Sequence, residues 1–413
     1  MQRPLAYDVT HVVTRLPTGQ TSGIEKVDLA YATCLPQLGC DALVHYGLWR
    51  PRTHRSAKVA DLLRFAPVDC ADSGYAKVYG WLTGDAAKLT FALPSSSSEG
   101  RESSLWQRRL AFARWRLSPG DMDVPEGAIY LNVAQHSLEN ARFFNWLSER
   151  PDVTGVFFVH DLMPLDWPEY FRPGYKDRFR KRWRTIVRHG QALITTSEAV
   201  KARIVRELRE TGLPPRPIHV QPLPSPLSGL GDLDDPRLRE VPYFIVVGTI
   251  EPRKNHLLLL NIWRRMAQEM ETPPKLVVVG ARGWENEQTL DVLDRSVLVR
   301  PHVHEVTGLG ERALARLIRN ARGLLMPSFA EGYGLPVVEG LSLGTPVVAS
   351  DIPVFREIGG AHARYHHPLD GLAWRDTIMK LAYGEREGSA QPSYVAPDWN
   401  SYFAGIRSFL NTL

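Results

Sequence analysis

The sequence predicts an α/β protein made of two parallel-sheet units placed side by side. Three observations predict it. The second half alternates short, near-continuous apolar runs with helix-like segments, the pattern of strands buried on both faces beneath covering helices. The first half repeats that alternation in a looser form. Between them, the Pro-, Gly- and Asp-rich stretch from Pro222 to Glu240 reads as a boundary.

In chain order, the strand candidates of the first half are "DVTHVV" from Asp8, "DALVHYGL" from Asp41, "AIYLNV" from Ala128, "TGVFFVH" from Thr154 and "ALITTS" from Ala192. The polar, low-complexity "ALPSSSSEGRESS", Ala92 to Ser104, predicts a mobile surface loop. The second half offers "YFIVVG" from Tyr243, "KLVVVG" from Lys275, "GLLMPS" from Gly323 and "PVVAS" from Pro346. Helices are expected over Asn255 to Met270, Glu285 to Leu293, Glu311 to Ile318 and Pro336 to Leu343. Pro336 suits a first helical turn, where its fixed φ fits and its missing N–H is not needed. Gly344 is a natural helix stop.

Composition bounds the function. A chain of 413 residues, 44% of them hydrophobic, has the material for two substantial cores. No run reaches the roughly 18 apolar residues that a membrane span needs. The N-terminal "MQRPLAYDVTHVV" reads as strand pattern and not as a signal-peptide layout. Cys34, Cys40 and Cys70 form an odd, sparse set, which argues for a reducing compartment and against a disulfide framework. No Cys/His cluster has zinc spacing. The net charge of +5 suits phosphorylated ligands or an acidic membrane surface and does not call for nucleic acid.

The stretch "FAEGYGLPVVEG" sets Glu331 at the entrance of a glycine-bearing loop and Glu339 in what reads as the first helical turn. Free N–H groups and the helix dipole make such a spot an anion site, and Gly332 and Gly334 would allow a ligand close to the backbone. A phosphate held by amides, with carboxylates gripping hydroxyls around it, is one reading. Acidic side chains simply favouring the positive helix end is the other. "GTIEPRKN", Gly248 to Asn255, joins a strand to a helix, and Arg253 and Lys254 would point into the crevice at the strand ends. Basic residues are unfavourable at a helix start, which favours a diphosphate clamp over a solvated helix end.

Three other stretches are less specific. Gly23 in "PTGQTSGIEKV" would let a phosphate approach, or belongs to an ordinary βα turn. His160 and Asp161 in "VFFVHDLMPLDWPEY" stand at a strand end, as catalytic groups or as a plain cap. Trp167 and Tyr170 there, and Trp284 in "VVGARGW", read better as packing than as ligand contacts.

Together "VVGTIEPRKN", "VVVGARGW" and "MPSFAEGYGLPVVEGLSLGTPVVASDIPVFREIGG" resemble family 4 of the retaining glycosyltransferases, whose GT-B fold sets two Rossmann-like domains across a cleft. "TSGIEKV" and "HDLMPLDWPEY" resemble N-terminal motifs of bacterial mannosyl- and deoxyhexosyltransferases of polysaccharide assembly. The likeness is strong from Tyr243 to Gly360, patchy from Ala6 to Glu198 and effectively absent from Pro51 to Gly127.

The resemblance implies three parts: an acceptor-side domain over 1–235, a nucleotide-sugar-binding domain over 236–395, and a terminal helix over 396–413 returning to the first domain. It implies that Glu339 binds ribose hydroxyls. Glu331, with the amides of Gly332, Tyr333, Gly334 and Leu335, would hold the donor sugar and diphosphate. Lys254 would bind phosphate and His160 would face the donor sugar. Gly23 would let the diphosphate sit against the first loop. The family's usual arginine is Thr249 here, so Arg253 is expected to supply that charge.

The implied activity is transfer of a hexose or deoxyhexose from a nucleoside-diphosphate sugar, GDP-mannose-like, to a saccharide or lipid-linked saccharide. Configuration would be retained and no metal or other cofactor used; no Asp-x-Asp motif is present. A sugar-nucleotide 2-epimerase and a non-catalytic sugar-nucleotide-binding protein are the alternatives. "LWQRRLAFARWRL", Leu105 to Leu117, and "KDRFRKRWRTIVRHG", Lys176 to Gly190, interleave aromatics with cations. Such helices lie in membrane interfaces, or pack their aromatics inward. The expected location is the cytoplasm, with reversible docking on the inner membrane.

Overall fold

The computed structural model describes residues 3–15, 23–46, 51–64, 73–84, 105–385 and 394–413. The expected Ala92–Ser104 loop, Cys70 and the loop residues just before Gly23 lie outside them. The described residues form two sheets. The first contains β1 (Leu5–Asp8), β2 (Cys40–Tyr46), β3 (Pro51–Arg55), β4 (Ile129–Asn132), β5 (Thr154–Phe158), β6 (Gly190–Thr195) and β7 (Ile218–Val220), in the order β3-β2-β1-β4-β5-β6-β7. The second contains β8 (Tyr243–Val247), β9 (Lys275–Val279), β10 (Val303–Val306), β11 (Gly323–Met326), β12 (Val347–Ser350) and β13 (Ala363–His366), in the order β10-β9-β8-β11-β12-β13. Every pairing is parallel except β2 with β3, which is antiparallel at the sheet edge.

The central strands are apolar because helices cover both faces. Tyr243, Phe244 and Ile245 of β8 and Leu324 and Leu325 of β11 are fully buried. Each such side chain contributes about 1.5–3 kcal/mol relative to exposure. The expected helices of the second half appear at His256–Glu269, Glu287–Arg295, Glu311–Asn320 and Leu335–Ser342. Gly344 follows the last of these with φ +69°.

The structure corrects two expectations and adds one helix that they did not include. "DVTHVV" is not one strand: β1 stops at Asp8, whose Oδ1 accepts from Thr10 N (2.9 Å) and Thr10 Oγ1 (2.5 Å). That turn starts the helix Thr10–Arg15. Glu339 is not in the first helical turn, since the helix begins at Leu335. And the helix Ser73–Thr83, from the first half of the sequence, lies on the second sheet. Its Tyr75, Val78, Tyr79 and Leu82 share a core with Ile245, Val277 and Val306, and Lys275 Nζ donates to the carbonyls of Trp81 (2.6 Å) and Leu82 (3.0 Å).

The last helix, Trp399–Leu410, packs in the core of the first sheet. Asp398 caps it by accepting from Asn400 N and Ser401 N, and the hydroxyls of Tyr402 and Tyr31 meet at 2.9 Å. The carboxyl ends of the two sheets face one another. Thr196 Oγ1, just past β6, donates to Gly332 O (3.2 Å) beyond β11. Glu357 accepts from Glu198 N (2.7 Å) and Ala199 N (2.9 Å), so a carboxylate of the second half caps a helix of the first. Tyr170 stacks on Phe329 at 5.7 Å.

Candidate functional site

In the second sheet the chain leaves β8 and β11, neighbouring strands with connections to opposite sides. The crevice at such a switch point is where open α/β sheets bind ligands. Two loops fill its rim, Gly248–Asn255 after β8 and Pro327–Gly334 after β11.

The first loop is fixed by its neighbour. Ile250 N donates to Ala281 O (2.9 Å), and Gly283 N donates to Ile250 O (2.9 Å). A Cβ on Gly280 would stand 2.0 Å from Gly248 O and one on Gly283 3.0 Å from Thr249 Cγ2, so only glycines allow the two loops to meet. Pro252–Lys254 makes a tight turn, and Asn255 takes a left-handed conformation (φ 55°). Its Nδ2 donates to Pro327 O (3.1 Å) and Pro368 O (2.8 Å). That anchor aims Arg253 and Lys254 at the second loop.

Glu331 receives both cations. Arg253 Nη1 donates to its Oε2 (2.7 Å) and to Ala330 O (3.1 Å), while Lys254 Nζ donates to Oε1 (2.5 Å). Ser328 Oγ also donates to Oε1 (2.8 Å), and Arg253 Nη2 pairs with Glu251 at 2.6 Å. Burial pushes the Glu331 carboxyl up, but Arg253, Lys254 and their hydrogen bonds outweigh it and hold it down at about 2. Glu251 is pushed up by burial, against the pull of Arg253 and Lys254. The cluster is a buried, charge-balanced knot.

Glu339 lies one turn into the helix, 4% exposed. Burial raises its carboxyl to about 7; Lys26 and Lys254 oppose the rise and Glu311 adds to it. Lys26 reaches from the first half to Glu311 at 3.4 Å. A Cβ on Gly23 would meet Leu335 Cδ1 at 3.9 Å, so the helix Gly23–Leu38 starts opposite the helix Leu335–Ser342.

From the first half, His160 follows β5. Its Nε2–H donates to Val133 O (2.8 Å), leaving Nδ1 as the acceptor. Burial drives its pKa down to about 4, so the ring is neutral at pH 7. Asp161 Oδ1 accepts from Met163 N (3.0 Å). Burial raises Asp161 and the Arg253 charge opposes that rise.

The expected residues divide into groups. Arg253, Lys254 and Glu331 are in direct contact, and His160 meets Gly332 across the seam: a Cβ on Gly332 would stand 2.9 Å from His160 O. Thr249 stands beside Gly283 on the β8 side. The close approaches at Gly332 and Gly334 are to protein. Gly334, at φ +107°, lies against the Phe355 ring, 2.5 Å from where a Cβ would be. The Tyr333 side chain turns out of the crevice, donating to Leu223 O (2.9 Å). Trp284 Nε1 donates to Tyr170 O (3.0 Å) and bridges the halves. Ser328 and Glu251 were not singled out from the sequence. Their proximity in sequence to Glu331 and Arg253 was the available signal.

Residues 235–366 match the family described as "Glycosyl transferases group 1". Serotype-specific mannosyltransferase WbdA of Escherichia coli is 29% identical over 223 residues, 51% of this chain and 27% of that protein. O-antigen chain mannosyltransferase B of Escherichia coli is 28% identical over 225 residues, covering 52% and 58%. O-antigen chain mannosyltransferase RfbU of Salmonella typhimurium is 27% identical over 243 residues, covering 58% and 64%. The matched stretch thus spans only about a quarter of WbdA and under two thirds of the other two. Among solved structures, an alpha,alpha-trehalose-phosphate synthase (UDP-forming) from Burkholderia vietnamiensis shares the fold over 100% of this chain and 99% of its own, with a TM-score of 0.56 and 12% identity. HepE from Anabaena, solved with UDP and glucose, covers 69% of this chain and 78% of its own, with a TM-score of 0.54 and 16% identity. Residues 235–366 of this chain are a glycosyltransferase group 1 domain, the second half of a GT-B fold and related in sequence to bacterial O-antigen mannosyltransferases.

Proposed function

We propose that the chain is a retaining, family 4 glycosyltransferase. It moves a hexose or deoxyhexose from a nucleoside-diphosphate sugar, GDP-mannose-like, to a saccharide or lipid-linked saccharide acceptor in surface polysaccharide assembly. The observation that carries this reading is the Arg253–Glu331–Lys254 knot at the mouth of the helix Leu335–Ser342, with Glu339 buried one turn further in. The sequence likeness to bacterial mannosyltransferases supports it.

In this reading Arg253 and Lys254 meet the negative charge that grows on the departing diphosphate, and the amides of Gly332 to Leu335 add to that stabilisation. Glu331 exchanges part of its ion pairing for sugar hydroxyls. Glu339 accepts from the ribose, His160 faces the donor sugar, and Thr249 and Gly23 border the diphosphate. The reaction needs no metal. Closure of the cleft excludes water. The working division is 1–235 on the acceptor side, 236–395 on the donor side and 396–413 returning to the first, with the helix Ser73–Thr83 crossing over.

No helix of the described residues is long and apolar enough to cross a membrane. Reversible docking on the cytoplasmic face of the inner membrane belongs to the same reading. The helix Leu105–Leu117 is its best support. Trp106, Leu110 and Leu117 are exposed on one face, flanked by exposed Arg109, Arg114 and Arg116. The helix Tyr175–His189 contributes less, because Phe179 and Trp183 are in the core and Arg178 and Arg182 both bind Glu139.

The test is a thermal-shift and calorimetric screen of the full chain against GDP, UDP, dTDP, GDP-mannose and UDP-glucose. One nucleoside diphosphate and its sugar nucleotide should bind. No response to any of them would overturn the donor-site reading.

A further inference from the structure

A cavity of about 200 Å³ lies beyond the carboxyl ends of β1, β2 and β4, in the first half. His45, Tyr46, Phe112, Arg116, His136 and Ser137 are among the residues that line it. The strand order turns at β1, which stands between β2 and β4, and open α/β sheets bind ligands at such strand ends. No Asp or Glu lines the cavity among the described residues. Carboxylates of the neighbouring elements are engaged elsewhere: Asp8 by Thr10, Tyr130 and Asn132, Asp28 by Tyr7 and His11, and Glu139 by Arg178 and Arg182. The cavity therefore has a guanidinium and several hydrogen-bond donors on its wall and no anion of its own.

Two of the lining side chains are left without protein partners. His45 is 1% exposed. The His54 ring stacks on it at 5.1 Å and the Trp115 ring meets it edge-on at 5.8 Å. The ring is thus pinned, yet neither nitrogen has a hydrogen-bond partner among the described residues. Burial drives its pKa down to about 4, and the Trp115 carbonyl is the weakest influence on it. A buried polar group left unpaired costs free energy, and on a cavity wall it marks a place that a ligand completes. The Arg116 guanidinium lies over the Phe112 ring at 5.6 Å and pairs with no carboxylate among the described residues. Gln135 (φ 54°) and Ser137 (φ 60°), on either side of His136, both take left-handed backbone, a conformation that costs energy and clusters at functional sites. Two relations orient whatever fills the cavity. His160 Nε2–H donates to Val133 O, three residues before His136, so backbone reach keeps the cavity wall within about 11 Å of that anchor. The helix Leu105–Leu117 gives Phe112 and Arg116 to the cavity, Ala111 and Trp115 to the core, and Trp106, Leu110 and Leu117 to the outside. One helix thus borders both the cavity and the face proposed to dock on a bilayer.

We propose that this cavity binds the phosphoester anion of the acceptor, the phosphate or diphosphate that joins a short saccharide to its lipid, with Arg116 as the charge partner and His45, His136 and Ser137 as hydrogen-bond donors. This rests on the glycosyltransferase reading above and specifies its acceptor. A phosphoester offers several oxygens to a guanidinium fork and to the single N–H or O–H of each neighbouring imidazole and hydroxyl. A cavity of this size takes one group of a ligand and not the whole of it. The saccharide then runs along the loop from Val133 to Ser137 toward His160, and the lipid leaves beside Arg116 toward the exposed face of the helix. The short reach to His160 limits how much saccharide separates the anion from the reacting hydroxyl.

The experiment titrates the full chain, without vesicles, with farnesyl diphosphate and with mannose 1-phosphate by calorimetry. Farnesyl diphosphate should bind the wild type. Arg116→Gln should weaken it about 10–100-fold, the size of one lost charge-assisted hydrogen bond. Arg114→Gln, on the same helix but outside the cavity lining, should leave the affinity unchanged, and so should Lys254→Ala. His45→Phe should weaken binding while its melting temperature stays at or above wild type, because the nitrogens removed bond nothing in the free protein. Wild-type affinity in Arg116→Gln would overturn the inference. So would an affinity lost only in Lys254→Ala, which would put the anion in the donor crevice. Mannose 1-phosphate binding as tightly as farnesyl diphosphate, with the same Arg116 dependence, would overturn the lipid as the source and support a soluble phosphosugar. Nucleoside diphosphates failing to bind the wild type is a separate result, and it would overturn the glycosyltransferase reading and the acceptor role with it.

Discussion

Arg253 Nη1 lies 2.7 Å from Glu331 Oε2, and Lys254 holds the other oxygen of the same carboxylate. One buried anion thus restrains two buried cations, 6% against 16% and 10% exposed. Removing it should leave Lys254 without its carboxylate and Arg253 with Glu251 alone. Glu331→Ala is expected to cost about 3–5 kcal/mol in urea unfolding of the free protein. A bound nucleoside diphosphate replaces the missing anion, so it should raise the melting temperature of Glu331→Ala more than that of wild type. Equal shifts would place the phosphates away from these cations.

If Glu339 binds the ribose as proposed, binding should depend on pH. Its folded pKa of about 7 lies above the ordinary value of 4.5. A raised acid gives its full stability below the ordinary value and loses it as pH rises through the folded one. Glu339→Gln should therefore stabilise the free protein at pH 8 relative to wild type, with little effect at pH 4. In the proposed site, ribose hydroxyls would donate to the ionised form, so nucleotide affinity should rise with pH through about 7 and fall in the mutant. Calorimetry in buffers of different ionisation enthalpy should show proton release on binding near pH 6. Binding without proton release would remove Glu339 from the ribose.

Lys254→Ala or Arg253→Ala should lower kcat far more than nucleotide affinity, because in the proposed mechanism the charge they meet grows in the transition state. Turnover should also survive EDTA. Loss of activity on chelation, restored by Mg²⁺ or Mn²⁺, would refute the metal-free scheme.

Gly334→Ala puts a Cβ 2.5 Å from Phe355 Cε1 at a φ of +107°. It should destabilise by about 1–3 kcal/mol, read as a lower denaturant midpoint. Gly332→Ala meets His160 O at 2.9 Å and the Asp161 side chain at 3.0 Å. It should wedge the seam and lower kcat more than it lowers the melting temperature. Wild-type turnover would show that the seam is open in the reacting state.

Liposome co-sedimentation tests membrane docking. Binding should need anionic lipid and weaken with salt. It should be lost when Trp106, Leu110 and Leu117 become serine, and fall less when Arg178, Arg180, Lys181 and Arg182 become glutamine. Indifference to lipid charge would point to an acceptor free in solution.

The sequence by itself determined the two-sheet α/β architecture, because buried parallel strands must be continuously apolar and the helices between them are punctuated by residues such as Pro336 and Gly344. It also carried the loops of the candidate site, because a tight strand-to-helix turn keeps Arg253 and Lys254 adjacent and a short loop keeps Glu331 beside the helix. Tertiary structure alone decided the rest. "VTHVV" suits strand and helix alike until Asp8 caps Thr10. The edge strands β10 and β13 carry too few apolar residues to announce themselves, since their burial is partial. Helix Ser73–Thr83 finds its apolar partners on the far sheet, a choice made by the core it joins. Glu331 meets Arg253 from 78 residues away, and His11 meets Asp28 across a helix pair. Both pairings depend on how the strand ends are aimed, because ionic and hydrogen-bond geometry is set by three-dimensional placement and leaves no periodic mark in the chain.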